Sequence, residues 1–149
     1  MKNNKIIFAS DHAGFELKQL LINFLNKNYY VEDFGTFSKY SVDYPDYGFP
    51  SANKVASGEF DCGILICGSG LGMSIVANKV KGIRAALCTS VEIAKLSRNH
   101  NNANILVLPG RFMEEDLAKK IIEVWLTTEF DDGRHLRRIN KIKKYENER

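Results

Sequence analysis

Cys62-Gly63-Ile64-Leu65-Ile66-Cys67 runs six residues without a charge, and Gly68-Ser69-Gly70-Leu71-Gly72 follows it at once. A strand that stays apolar on both faces belongs in a parallel sheet covered by helices, because a surface strand alternates with polar residues. The glycines behind it let the backbone approach a ligand and turn successive N–H groups toward an anion. The loop is not a Walker loop, since the Gly-Lys-Ser/Thr ending is missing. Nor is it a dinucleotide fingerprint, because it follows the third strand and neither Met73 nor Ile75 supplies a third glycine.

Outward from this segment, strand-like runs alternate with helical ones. Upstream lie a first strand at Ile6–Ala9 and a helix with Leu17, Leu20, Leu21, Phe24 and Leu25 on one face. A second strand spans Tyr29–Phe34, and Thr36–Tyr47 reads as a loop. Pro50 is expected in the first turn of a helix ending near Ser57. Downstream come a helix at about Met73–Val80, a strand at Ile83–Cys88, a helix at Val91–Arg98 and a strand at Ile105–Leu108. Leu117, Ile121 and Trp125 mark another helix. Leu136, Ile139, Ile142 and Tyr145 mark a last, basic helix at about 132–147. The alternation implies an α/β fold, a doubly wound parallel five-stranded sheet with helices on both faces, in one domain over 1–149. Its ligand site is expected beyond the carboxyl ends of the strands, after Ala9, Phe34, Cys67, Cys88 and Leu108.

Composition narrows the function. The 149 residues are 44% hydrophobic and 26% charged with a net charge of +3, ordinary for a soluble globular protein and too weak a charge to imply nucleic-acid or membrane partners. No apolar run reaches the roughly 18 residues of a membrane span. Met1-Lys2-Asn3-Asn4-Lys5 leads straight into the first strand with no cleavage signal, which points to the cytoplasm. Three cysteines, Cys62, Cys67 and Cys88, do not form a disulfide framework, and none has partners at zinc spacing, so no metal is expected.

Several segments carry candidate chemistry. Ser10-Asp11-His12-Ala13-Gly14 follows the first strand; Asp11 reads first as a helix cap, and the Asp-His pair as a possible ligand contact. Cys67 stands immediately before the glycine loop, where N–H donors and a helix start would stabilise a thiolate. Cys62 and Cys88 lack such a loop and read as core. Arg98-Asn99-His100-Asn101-Asn102-Ala103-Asn104 offers neutral hydrogen bonding and one imidazole, or merely a polar turn. Arg111 follows the fifth strand. From Arg134 to Lys144 there are six Lys and Arg residues and no acidic ones. Arg134 and Arg138, four apart, share a helical face; the run is either a solvated surface or a phosphate clamp.

Taken in order, Ser10-Asp11-His12-Ala13-Gly14, Asp43-Tyr44-Pro45, Gly63 to Gly70, Ala77-Asn78-Lys79, Gly82-Ile83-Arg84-Ala85, His100-Asn101 and Gly133-Arg134-His135 resemble the ribose-5-phosphate isomerase B family, which includes galactose-6-phosphate isomerase subunits. The resemblance implies a Rossmann-like sheet, no metal or organic cofactor, and a homodimer, often paired into tetramers. It implies an aldose–ketose isomerase in which Cys67 moves a proton between C1 and C2. The N–H groups of Gly68, Ser69, Gly70, Leu71 and Gly72 would receive the enediolate oxygen. Asp11 would contact sugar hydroxyls and Tyr44 line the sugar site. His100 would open the furanose ring and Asn101 hold the intermediate. His12, Arg111, Arg134 and Arg138 would hold the phosphate. Sites would be shared, with His100, Asn101 and Arg111 expected from the partner. Some members use a glutamate six residues after the cysteine position; Met73 stands there, leaving Cys67 as base. Ser69 replaces a frequent Thr and keeps its hydroxyl. The intact Asp11-His12-Ala13-Gly14 favours ribose 5-phosphate over the alternative, a six-carbon sugar phosphate such as allose or galactose 6-phosphate.

Overall fold

The computed structural model describes residues 5–149, so Met1–Asn4, read above as leading straight into the first strand, lies outside the described residues. The elements are β1 (Lys5–Ser10), α1 (Phe15–Leu25), β2 (Tyr30–Asp33), α2 (Pro45–Ala56), β3 (Cys62–Cys67), α3 (Leu71–Asn78), β4 (Ala85–Leu87), α4 (Val91–Asn99), β5 (Ile105–Pro109), α5 (Glu115–Thr127) and α6 (Arg134–Asn147). The five strands form one parallel sheet in the order β2-β1-β3-β5-β4. The α/β architecture expected from the alternation is therefore present. The chain steps left from β1 to β2 and then right to β3, so the sheet reverses direction between β1 and β3.

β3, the segment that stays apolar, is buried along its whole length at the centre of the sheet. Alternation along the strands divides the core. Ile6, Phe8, Cys62, Ile64, Ile66, Leu106 and Leu108 pack with Leu21, Ala94 and Trp125 of α1, α4 and α5. Ile7, Ala9, Leu65, Cys67 and Val107 pack on the opposite face with Ala52, Met73 and Ala77 of α2 and α3. Each fully buried Ile or Leu contributes roughly 1.5–3 kcal/mol. Cys62 and Cys67 are an odd number of residues apart on one strand, so they face opposite sides.

Some boundaries differ from the sequence reading. The second helix begins at Pro45, which takes the first-turn position, and Pro50 lies inside it. Proline needs no N–H donor partner in a first turn, and the Asp43-Tyr44-Pro45 segment meets that condition as well as Pro50 does. β4 is only Ala85–Leu87, rather than Ile83–Cys88, because it is a sheet edge paired to β5 alone. α3 starts at Leu71 rather than Met73, and α6 at Arg134 rather than 132.

Candidate active site

Parallel registry levels the carboxyl ends of three neighbouring strands. Ser10 pairs with Ile66 and Cys67 with Pro109. Asp11, Gly68 and Arg111 thus leave the sheet side by side, at the reversal between β1 and β3 and next to it. A cavity of about 420 Å³ opens there, lined by Asp11, Tyr44, Cys67, Gly68, Ser69, Gly72, Arg111 and Phe112. Among the described residues, no group of three or more His, Cys, Asp or Glu is arranged to hold a metal ion.

The glycine loop is shaped by two contacts. Gly70 takes a left-handed φ of 79° at the start of α3, where a Cβ would lie 2.5 Å from Leu87 Cδ1. The turn is therefore open to glycine on both conformational and steric grounds. At Gly72 a Cβ would lie 2.6 Å from ring atoms Cε1 and Cζ of Tyr44. The missing side chain lets the Tyr44 ring lie against the first turn of α3 and form a wall of the cavity. Ser69 Oγ accepts the Leu71 N–H at 3.2 Å. None of the hydrogen bonds among the described residues uses the N–H of Ser69 or Gly70. These donors sit at a helix N-terminus beside Cys67, an arrangement that favours an oxyanion.

Asp11 is buried and lines the cavity, and it is not the helix cap expected from the sequence: Gly14 occupies that position, and Asp11 closes the turn ahead of α1 instead. Its Oδ1 accepts from Ala13 N at 3.0 Å and Gly14 N at 3.1 Å. That holds the carboxylate in place. His12 Nδ1 accepts the Val42 N–H at 3.1 Å, which leaves the ring proton on Nε2. The His12 ring does not line the cavity itself. Arg111 does, with its N–H bonded to Gly68 O at 3.0 Å. This corrects the expectation that a partner supplies Arg111: the side chain stands beside Cys67 of its own chain, because β5 neighbours β3.

The other thiols are distinct. Burial, reinforced by the Asp61 carboxylate, pushes Cys62 up to about 12. Burial pushes Cys88 up to about 11, although a Ser97 hydrogen bond opposes it. Both stay protonated near neutrality and neither lines the cavity.

His100, Asn101, Arg134 and Arg138 are not brought to the cavity. His100 caps the carboxyl end of α4, five residues before β5 begins at Ile105. It therefore lies at the amino-terminal edge of the sheet, about 16 Å of strand away from the Cys67 end. Its ring stacks on His135, with centroids 4.2 Å apart and planes 12° apart. Burial, then the charges of His100, Arg134 and Arg138, hold His135 below the usual imidazole range. Asn101 lines a second cavity of about 370 Å³ with Arg84, Ile139 and Tyr145. Asn104 Oδ1 and Nδ2 bond Arg84 N and Gly82 O, so that residue is structural.

Two participants escaped the sequence reading. Phe112 lines the cavity one residue beyond Arg111, and the carboxyl-end rule pointed at its segment. His135 was quoted in a motif without a role, and its stack on His100 is a long-range contact that no local signal carries.

The Ribose/Galactose Isomerase family matches residues 6–142. The chain belongs to that family. The likeness inferred from the ordered motifs is thus borne out. Ribose-5-phosphate isomerase B of Escherichia coli strain K12 is 44% identical over 146 residues, covering 97% of this chain and 98% of that one. The crystal structure of a ribose 5-phosphate isomerase from Thermotoga maritima superposes with a TM-score of 0.92 at 56% identity, covering 95% and 98%. Ribose-5-phosphate isomerase B from Mycoplasma genitalium, solved with bound ribulose-5-phosphate, gives 0.94 at 43% identity over 100% of both chains. As a ribose/galactose isomerase the protein is an enzyme, and its cavity lies where doubly wound sheets hold their ligands.

Proposed function

We propose that the protein interconverts ribose 5-phosphate and ribulose 5-phosphate through an enediolate, with Cys67 as the base. The observation that carries the reading is the cavity in which a thiol, a glycine loop with unengaged N–H groups and a fixed carboxylate meet. The Cys67 thiolate removes the proton from C2 of the open-chain aldose. The electron pair left behind forms the C1–C2 double bond, and the charge goes to the carbonyl oxygen at C1. N–H groups of the 68–72 loop stabilise that oxygen, and Ser69 stands beside it. Return of the proton to C1, with transfer of the O2 proton to O1, gives the ketose. Asp11 holds sugar hydroxyls, Tyr44 walls the sugar, and Arg111 with His12 draws the phosphate in. The reaction needs proton transfer and charge stabilisation, with no net redox change.

His100 for ring opening, Asn101 for the intermediate, and Arg134 and Arg138 for the phosphate come from a second copy in this reading. The basis is their position at the far edge of the sheet from their own Cys67. The assembly is a homodimer with two shared sites. Its three unpaired cysteines suit the reducing cytoplasm.

A coupled assay with ribose, allose and galactose phosphates tests the substrate. The reading expects the highest kcat/KM for ribose 5-phosphate, and a preference for a six-carbon phosphate would replace it. Mixing inactive Cys67→Ala and His100→Asn chains tests the sharing. Random re-pairing leaves one intact site in half of the dimers, so about a quarter of the parent activity returns. No recovery after verified subunit exchange would place each site within one chain.

A further inference from the structure

Lys18 lies in α1 with no exposed surface, and none of the chemistry above uses it. A buried ammonium must recover its lost hydration from close partners. Its Nζ donates to Asp33 Oδ1 at 2.6 Å. The same oxygen accepts the Gly35 N–H at 2.9 Å. The rings of Phe15, on α1, and Phe37, beyond β2, each lie 5.4 Å from Nζ. Cation–ring attraction of this kind strengthens where water is excluded. Desolvation draws Lys18 below the ordinary lysine range, while the hydrogen bond and charge of Asp33 oppose it.

The chain continues from this anchor into the site. Ser10 N–H donates to Gly35 O at 2.7 Å, and Thr36 N–H donates to Ser10 O at 2.8 Å. The turn is thereby tied to the residue before Asp11. Further along the same loop, Val42 N–H donates to His12 Nδ1 and the Tyr44 ring rests on Gly72. One end of the loop is held by Lys18, and the other end carries the groups that orient His12 and wall the cavity.

We propose that Lys18 is a positioning residue for the isomerase reaction: its ammonium clamps Asp33 and Phe37 and so sets the 35–44 loop that orients the His12 imidazole and the Tyr44 ring. The proposal rests on the isomerase reading of the cavity. Substrate binding is the step it governs, because Cys67 and the 68–72 loop are held by β3 and α3 instead.

Lys18→Met keeps the length of the side chain and removes the charge. It is expected to raise KM for ribose 5-phosphate roughly tenfold, the size of one lost ordinary contact. The same variant should keep kcat within about threefold of the parent. Amide hydrogen exchange at Val42 should accelerate. Phe37→Ala removes a ring that is 67% exposed, so it leaves the core intact; it is expected to move KM and exchange in the same direction and decides the matter if Lys18→Met fails to fold. Parent values of KM and of Val42 exchange in a folded variant would overturn the proposal, since a purely structural lysine lowers the melting temperature and moves neither. If the parent protein fails to turn over ribose 5-phosphate, the isomerase reading falls separately, and exchange at Val42 still decides whether Lys18 sets the loop.

Discussion

Gly72→Ala separates stability from function. An ideal Cβ at this position would sit 2.6 Å from Tyr44 Cε1 and Cζ, so the ring must retreat by about 0.8 Å to reach ordinary contact at 3.4 Å. Tyr44 is 38% exposed and has solvent to retreat into. Alanine within a helix is favoured over glycine by roughly 0.5–1 kcal/mol, which offsets much of the packing lost by the ring. The net change should stay within about 1 kcal/mol, a melting shift of roughly 2–4 °C. The wall of the cavity has moved, and a misplacement approaching 1 Å costs on the order of a hundredfold in rate. The assay is kcat/KM for ribose 5-phosphate alongside a thermal melt. Gly58→Ala is the opposite control: φ is +84° there and nothing lies within 4 Å of the added Cβ. It should cost roughly 1–2 kcal/mol of stability through left-handed strain and leave kcat/KM unchanged. A Gly72→Ala enzyme with parent kcat/KM would refute the placement of Tyr44 as a working wall.

Cys67→Ala should abolish turnover while ribose 5-phosphate still binds in calorimetry, whereas Cys62→Ala and Cys88→Ala should keep activity apart from packing losses; substantial turnover by Cys67→Ala removes it as the base. Arg134→Ala and Arg138→Ala should each raise KM roughly ten- to a hundredfold, and Lys143→Ala and Lys144→Ala almost not at all; equal behaviour of all four would make α6 only a solvated basic face. His135 is held below its ordinary 6.5 in the fold, so the unfolded chain binds the extra proton first and stability is lost as pH falls below 6.5. Melts from about pH 7.5 to 5 should decline in the parent and flatten in His135→Asn, and parallel curves would exclude His135 as the source.

The features legible in the sequence are those set by local pattern. Continuous burial of Cys62–Cys67, helical spacing in α1 and α5, and glycines after a strand all follow from side chains within a few residues of one another. Strand parity alone sends Cys62 and Cys67 to opposite faces. Boundaries failed where two residues met the same local condition, as Pro45 and Pro50 did. The short β4 failed for another reason: an edge strand ends where its single neighbour stops pairing, and that is a tertiary fact.

His100 exposes the limit of the carboxyl-end rule. That rule selects segments following strands, and the Arg98–Asn104 segment follows a helix. An α/β crossover runs its helix back along the sheet, so the end of α4 returns to the amino-terminal edge. The rule therefore excludes His100 and Asn101 from the Cys67 cavity, while the family motif includes them. Both statements hold together if the motif describes an assembly and the rule describes a chain. Arg111 sharpens the point, because it follows a strand and does line its own cavity. Following a strand places Arg111 at the carboxyl edge of its own sheet, beside its own Cys67. In the proposed shared site the residues that follow a helix come from a second copy, and the stacked His100 and His135 beside Arg134 and Arg138 are the surface that copy would present.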